Sequence, residues 1–183
     1  MVDVYIKCIS DPEMRHIVGE QMIREQSSAR TGIEPTSISI HRGINGKPMV
    51  ARLQFNLSHS GKYVVCTFAD SQIGVDIERI GPARLPMARR FFHPDEVARL
   101  NSVSKEEQDL LFFQIWTKKE AYLKRSGLGI AGGLRGFNVF EIDPVLFHTA
   151  VIDNAYCLSI CTSKPESIGI CPSNILWSVS NNG

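Results

Sequence analysis

No apolar run in these 183 residues approaches the roughly 18 needed to cross a bilayer. Charge of one sign is also missing, since 20 Lys+Arg stand against 19 Asp+Glu for a net of +1. That balance gives no bulk attraction to nucleic acid or to an anionic membrane. The five cysteines, Cys8, Cys66, Cys157, Cys161 and Cys171, include no CxxC pair. A structural zinc site would need close pairs and a fourth ligand. Cys157 and Cys161 lie in an alternating stretch, where cysteine serves as a small core residue, and reduced thiols are expected. The opening Met1–Lys7 has neither the basic start nor the long apolar stretch of a secretory signal, so a cytoplasmic protein is expected. Low-complexity segments are absent. So are a Walker A loop, a G-x-G-x-x-G after a strand and a G-x-S-x-G elbow, which removes the common nucleotide-binding and serine-hydrolase signatures.

What is present is an ordinary globular composition, 43% apolar and 21% charged. Val2–Ile9 reads as a strand. Asp11-Pro12-Glu13 then offers a cap with Pro in the first turn, and Met14, Ile17, Val18 and Met22 recur at helical spacing towards Ala29. Thr31-Gly32 closes that helix. Short strands are expected at Ser37–His41, Phe55–Ser58, Tyr63–Ala69 and Gln72–Ile80, with a turn at Asn45-Gly46-Lys47-Pro48. Helices are expected over 84–92 and 94–101. A capping box at Ser104-Lys105-Glu106-Glu107 opens a helix of about twenty residues to Arg125. Gly127, Gly129, Gly132 and Gly133 form a loose connection. Residues 137–142, 150–160 and 175–180 read as strands of an antiparallel sheet. The pattern predicts an α+β fold in two halves, 1–72 and 73–183, each with one dominant helix, although no sequence repeat links them.

Charge is uneven along the chain. Residues 136–183 hold one base and four acids, and residues 1–135 hold nineteen bases and fifteen acids. Arg79, Arg84, Arg89 and Arg90 form a cluster with no acid between positions 79 and 94. Such clusters are commonly solvated helix faces, and a surface for phosphates or an acidic partner is the alternative.

Three stretches carry chemistry. In Ile73-Gly74-Val75-Asp76-Ile77-Glu78 the alternation turns the apolar residues inward and sends Gly74, Asp76 and Glu78 to the other side. Two carboxylates ~7 Å apart along a strand can both reach one hard cation at ~2.1 Å. Gly74 removes a side chain from that face and leaves room for a ligand. Taken alone, such a short pattern is more often a half-exposed strand with two solvated acids. In Trp116-Thr117-Lys118-Lys119-Glu120-Ala121-Tyr122-Leu123-Lys124, the residues Trp116, Glu120 and Lys124 share one helical face at ~6 Å of rise per step. Glu120 is a third candidate ligand for the cation and Lys124 a candidate phosphate ligand. Lys119, ~100° around the helix, is expected to face the same pocket. The plain alternative is a surface ion pair between Glu120 and Lys124 worth about 0.3 kcal/mol. In Asn56-Leu57-Ser58-His59-Ser60-Gly61 a hydroxyl and an imidazole stand where a strand meets a turn, as phosphate ligands or simply as turn residues.

Together these stretches resemble the 4′-phosphopantetheinyl transferases of the surfactin-synthetase-activating type. That family carries (I/V)-G-(I/V)-D and, some forty residues on, (F/W)-x-x-K-E-(A/S) followed by a lysine. Here they are Ile73-Gly74-Val75-Asp76 and Trp116 through Ala121 with Lys124. Phe55 to Ser60 is similar to the family's F-N-x-S-H-S, Gly46-Lys47-Pro48 to its G-K-P, and Arg90-Phe91-Phe92 followed by Glu96 also fits. The resemblance spans roughly positions 11–140, and the agreement of several motifs in order and spacing outweighs the plain reading of Asp76-x-Glu78.

The resemblance implies transfer of 4′-phosphopantetheine from coenzyme A to a serine of an apo acyl or peptidyl carrier protein, with Mg²⁺ as cofactor. It places Asp76, Glu78 and Glu120 as magnesium carboxylates and Lys124 on the coenzyme pyrophosphate. It places His59 with Ser58 on the 3′-phosphate, Lys47 at the adenine and Arg15 in the coenzyme site, and it matches Lys119 to the lysine of K-E. The base for the carrier serine is then Glu120 or a metal-bound water. The chain departs from the pattern at His16, where a threonine is expected, and in starting almost at the first helix where larger members have a basic arm. The resemblance also implies two similar α+β subdomains with the site in the cleft between them, and a monomer is expected because one chain supplies both. The arginine cluster becomes a docking face for an acidic carrier helix. A catalytically idle coenzyme A or nucleotide-binding module and a magnesium-dependent phosphohydrolase stand as the other readings of the same residues.

Overall fold

In the computed structural model, residues 1–43, 46–127, 133–171 and 177–179 are described. Strand β1 (Val2–Cys8) is followed by a 3₁₀ turn at Pro12–Met14, opened by the Asp11 carboxylate accepting from the Glu13 N–H, and by helix α1 (Arg15–Thr31). The helix ends at Gly32, whose φ of 72° closes the last turn. Strands β2 (His41–Arg42) and β3 (Pro48–Met49) make a small hairpin, and β4 (Gln54–Ser60), β5 (Tyr63–Ala69) and β6 (Ile73–Arg79) follow. Helices α2 (Leu85–Phe91), α3 (Pro94–Ser102) and α4 (Lys105–Ser126) come next. The Ser104 capping box read from sequence is formed, with Ser104 and Glu107 each accepting the other's backbone N–H. Strands β7 (Phe147–Ile152), β8 (Tyr156–Thr162), β9 (Ile168–Ile170) and β10 (Trp177–Val179) complete the chain.

The fold is α+β, with two four-stranded sheets ordered β4-β5-β1-β9 and β10-β7-β8-β6. The inner faces of the two sheets share one core, in which Val4, Ile6 and Val65 meet Val75, Ile77, Leu158 and Ile160. Helix α1 covers the outer face of the first sheet through Met22 and Ile23 against Phe55 and Phe68. On the second sheet, α4 packs with α2 and α3 around Phe92, Leu100, Phe112 and Phe113. Strand β9 pairs in parallel with β1, so residues 168–170 belong to the first sheet although they come from the second half of the chain. No helix among the described residues is long and apolar enough to cross a membrane.

Three strand expectations change. Ser37–His41 is mostly not strand, because Arg24 of α1 donates to the carbonyls of Pro35 and Ile38 at 3.3 and 2.6 Å, and a 3₁₀ turn forms at Pro35–Ser37. Residues 137–142 form turns, because side chains take their backbone donors. Glu96 accepts from the Val139 N–H at 2.8 Å and Asn138 from the Phe140 N–H at 3.1 Å. The stretch 150–160 is not one strand but the hairpin β7–β8, turning at Asp153 and Asn154 with φ of 49° and 52°. Both residue types tolerate the left-handed region that a tight hairpin turn needs. Of the strand expected over 175–180, residues 177–179 are strand and the rest lie outside the described residues, as do Asn45, Gly129 and Gly132.

Candidate active-site cleft between the two sheets

The site begins with two sheet edges that meet without a backbone ladder. Strand β4 is an edge of the first sheet and β6 an edge of the second. An exposed strand edge presents unpaired backbone donors, and here β4 side chains satisfy them. The Val75 N–H donates to Asn56 Oδ1 at 2.9 Å, the Ile77 N–H to Ser58 Oγ at 3.3 Å and the Arg79 N–H to Ser60 Oγ at 3.0 Å. Because strand side chains alternate, Asn56, Ser58 and Ser60 reach β6 as one row, while Leu57 and His59 lie on the opposite face. The same hydroxyls donate onward, Ser58 to Asp76 Oδ1 at 2.9 Å and Ser60 to Glu78 Oε2 at 3.0 Å.

Helix α4 lies across β6, and Gly74 is why it lies so close. A Cβ at position 74 would stand 1.9 Å from the Ala121 carbonyl oxygen and 2.5 Å from the Arg125 nitrogen. The glycine therefore admits the helix backbone, and the expected space for a ligand is filled. This close approach brings Lys124 Nζ to 2.6 Å from Asp76 Oδ1 and 3.1 Å from Ser58 Oγ. Trp116, Glu120 and Lys124 line one cavity of about 570 Å³ with Ser58, His59, Asp76 and Glu78. That volume is within the usual range for a small-molecule site. His16 and Ile17 of α1 and Arg42 of β2 form its other wall, so the cavity lies between the two sheets and is walled by both helices.

Electrostatics in the cavity favour a cation. Burial, and then the neighbouring Asp76 charge, raise the carboxyls of Glu78 and Glu120 above the usual glutamate range. Asp76 is 4% exposed and its Oδ2 is buried with no hydrogen-bond partner. An orphaned carboxylate oxygen facing two further carboxyls is chemistry that a hard divalent ion satisfies, and Asp76, Glu78 and Glu120 fit that role as donors. Asp76 Oδ1 is held by Ser58 and Lys124, however, and Glu78 by Ser60. Among the described residues no three His, Cys, Asp or Glu side chains stand gathered for an ion.

Other expected site residues are placed differently. Lys119 does not face the cleft. It is 0% exposed, pairs with Glu96 at 2.9 Å and donates to the carbonyls of Leu134 and Phe137 at 2.8 and 2.5 Å. Burial lowers its pKa, and Glu96 works against that. Ser58 is tied to Asp76 and Lys124, on the other face of β4 from His59. His59 meets His16 edge to face with ring centroids 5.4 Å apart, and burial lowers its pKa, as do the charges of Arg15, His16 and Lys124. Arg15 itself is exposed, donates to the Pro12 carbonyl at 3.4 Å and is not among the residues lining the cavity. Lys47 donates to the Lys124 carbonyl at 3.0 Å and lines a neighbouring cavity with Arg125 and Gly127. The partners Asn56, Ser60 and Glu96 were not assigned roles from sequence. The signal for the first two was the polar alternation Asn56-x-Ser58-x-Ser60 on a strand that the fold buries.

Comparison with known proteins gives the family of the chain. The profile of the 4′-phosphopantetheinyl transferase superfamily matches residues 72–167, and that of the 4′-phosphopantetheinyl transferase N-terminal region matches residues 8–71. The chain is 36% identical over 169 residues to the 4′-phosphopantetheinyl transferase psf-1 of Bacillus pumilus, covering 84% of this chain and 72% of the relative. It is 30% identical over 168 residues to the 4′-phosphopantetheinyl transferase Sfp of Bacillus subtilis, covering 83% and 75%. It is 36% identical over 126 residues to the 4′-phosphopantetheinyl transferase HetI of a Nostoc species, covering 64% and 53%. With a profile matching more than half of its length and relatives aligned over most of both chains, the chain belongs to the 4′-phosphopantetheinyl transferase superfamily.

Proposed function

We propose that this protein transfers 4′-phosphopantetheine from coenzyme A to the serine of an apo acyl or peptidyl carrier protein, releasing 3′,5′-ADP. The observation that carries this reading is the meeting, in one cavity, of the Lys124 ammonium and the Asp76 carboxylate with Glu78 and Glu120 beside them. An ammonium among carboxylates suits a phosphate ester bound together with a divalent cation. Asp76, Glu78 and Glu120 would hold Mg²⁺, which supplies charge neutralisation at the pyrophosphate. Lys124 is long and flexible, and it leaves Asp76 to place its charge on the pyrophosphate oxygens. His59 and His16, at the α1 wall, suit the 3′-phosphate.

In the reaction the carrier serine Oγ forms a bond to the phosphorus bearing the pantetheine arm, and the bond from that phosphorus to the bridging oxygen breaks. The serine proton passes to a carboxylate oxygen of Glu120, which lines the cavity beside Asp76 and Glu78. The leaving 3′,5′-ADP carries away the bridging oxygen and its charge. Lys119 takes no part in the proton path in this reading. Its pair with Glu96 holds α4 against α3 and the 134–137 segment.

Both walls of the cavity come from one chain, which supports a monomer. Arg84, Arg89 and Arg90 are exposed, and among the described residues no carboxylate pairs with them. They suit an acidic carrier surface beside the β6 end of the cleft. Measurement of 3′,5′-ADP release tests the reading. Release that requires the apo carrier identifies the transferase. Release of nucleotide without a carrier identifies a phosphohydrolase, and coenzyme A binding with no release identifies an idle module.

A further inference from the structure

A second cavity of about 550 Å³ lies on the back of α4, away from the cleft. Lys118 lines it, two residues on from Trp116 and two before Glu120, hence ~200° around the helix from the first and as far from the second. Ile115, Val139, Phe140 and Phe147 supply apolar walls. Phe140 is 48% exposed. Large apolar groups left exposed around a concavity mark binding sites more than packing faults.

The polar side chains of this cavity are two cations, Lys118 and Arg99, the amides of Gln114 and Asn138, and the Asp95 carboxylate. Lys118 is substantially buried, and its ammonium sits 5.9 Å from the Phe147 ring centroid. No carboxylate pairs with it among the described residues. Arg99 stands at the exposed rim, and the Gln114 side chain lies one helical turn before Lys118. The one acid in the lining, Asp95, is 68% exposed beside His93. A half-buried cation in an apolar wall is a costly arrangement unless something anionic completes it. Lys118 and Arg99 against Asp95 leave a net of one positive charge in the lining, which matches a single negative charge better than a dianion.

We propose that this cavity binds an amphiphilic monocarboxylate, an unbranched apolar chain ending in one carboxylate. The carboxylate sits on Lys118, within reach of Gln114, and the chain lies along Ile115, Val139, Phe140 and Phe147. The site is separate from the cleft, so occupancy does not compete with coenzyme A. The assignment does not depend on the transfer reaction.

Calorimetric titration of the full chain with decanoate, decanol and decylamine, in saturating coenzyme A, tests it. Decanoate should bind saturably at one site and decanol at least tenfold more weakly. Lys118→Met keeps the apolar stem and removes the charge. It should weaken decanoate at least tenfold and change decanol less than twofold. Phe140→Asp, at an exposed ring that folding tolerates, should weaken both ligands at least tenfold, and it keeps the test open if the lysine variant is unstable. The proposal is overturned by displacement of decanoate by coenzyme A, or by unchanged decanoate affinity in both variants. Equal affinity for decanoate and decylamine, or tighter binding of an acidic apolar peptide than of decanoate, would also overturn it.

Discussion

Three consecutive residues of α4 take three different surroundings. Lys118 enters the back cavity, Lys119 is sealed against Glu96, and Glu120 faces the cleft. Removing one member of a fully buried ion pair strands the other, at a cost of about 3–5 kcal/mol. Lys119→Met should therefore destabilise the protein by that amount in urea unfolding. Adding Glu96→Gln should then cost less than the sum of the single changes, with a coupling of about 1–3 kcal/mol. Strict additivity would show that the pair does not hold α4. The cleft glutamates give a pH signature. Folded Glu78 and Glu120 hold protons above the ordinary value of 4.5, where the unfolded chain has released them. Stability without divalent ions should therefore fall as pH rises from 4.5 through their raised values. Mg²⁺, which favours the ionised forms, should raise the melting temperature more at pH 7 than at pH 4.5. Glu78→Gln with Glu120→Gln should flatten both trends, and an unchanged Mg²⁺ response in that variant would remove these residues from the cation site.

At the scale of elements, the cleft depends on how β4, β6 and α4 meet. Asn56→Ala would leave the Val75 N–H buried without its acceptor, costing about 1–3 kcal/mol. Gly74→Ala should cost at least as much, because its Cβ would meet helix backbone rather than a movable side-chain tip. Equilibrium unfolding measures both, and a neutral Gly74→Ala would mean that α4 can stand farther from β6 than it does here. The alternation that turned Asp76 and Glu78 to one side of β6 was legible in the sequence, as was the shared face of Trp116, Glu120 and Lys124, since both follow from local periodicity. The role of Gly74 was not legible, because an absent side chain looks the same whether a ligand or a helix fills the gap. Lys119 was misjudged for a related reason. A position ~100° from Glu120 can belong to the cleft wall or to the core, and the deciding partner, Glu96, lies 23 positions away in another helix. Residues 137–142 have the composition of a strand but lose their backbone donors to Glu96 and Asn138, a tertiary effect that propensity does not contain.

The whole molecule joins two sheets through one core, a row of side chains and a returning strand. That return, β9 beside β1, is three residues long, too short for its periodicity to announce a partner from the other half of the chain. The surface adds a charge argument. Arg89 and Arg90 lie in the last turn of α2, exposed, and Arg90 sits 5.0 Å from the Phe91 ring centroid. If they receive an acidic carrier, Arg89→Glu with Arg90→Glu should raise the carrier KM and leave the coenzyme A KM nearly constant. The effect should shrink in high salt, as exposed charges are screened beyond ~8 Å at 0.15 M. Equal changes in both KM values, with a lowered melting temperature, would reduce the cluster to a structural role.

The most direct measurement is the mass of an apo carrier protein after incubation with this chain, coenzyme A and Mg²⁺. A gain of one phosphopantetheine, ~340 Da, is expected with Mg²⁺ and not after its removal by chelation. Asp76→Asn keeps an acceptor for Ser58 and Lys124 but loses the charge, and it should melt within a few degrees of the parent while transferring at least about 100-fold more slowly. An unmodified carrier under every condition, or full transfer by Asp76→Asn at limiting Mg²⁺, would contradict the assignment of the cleft.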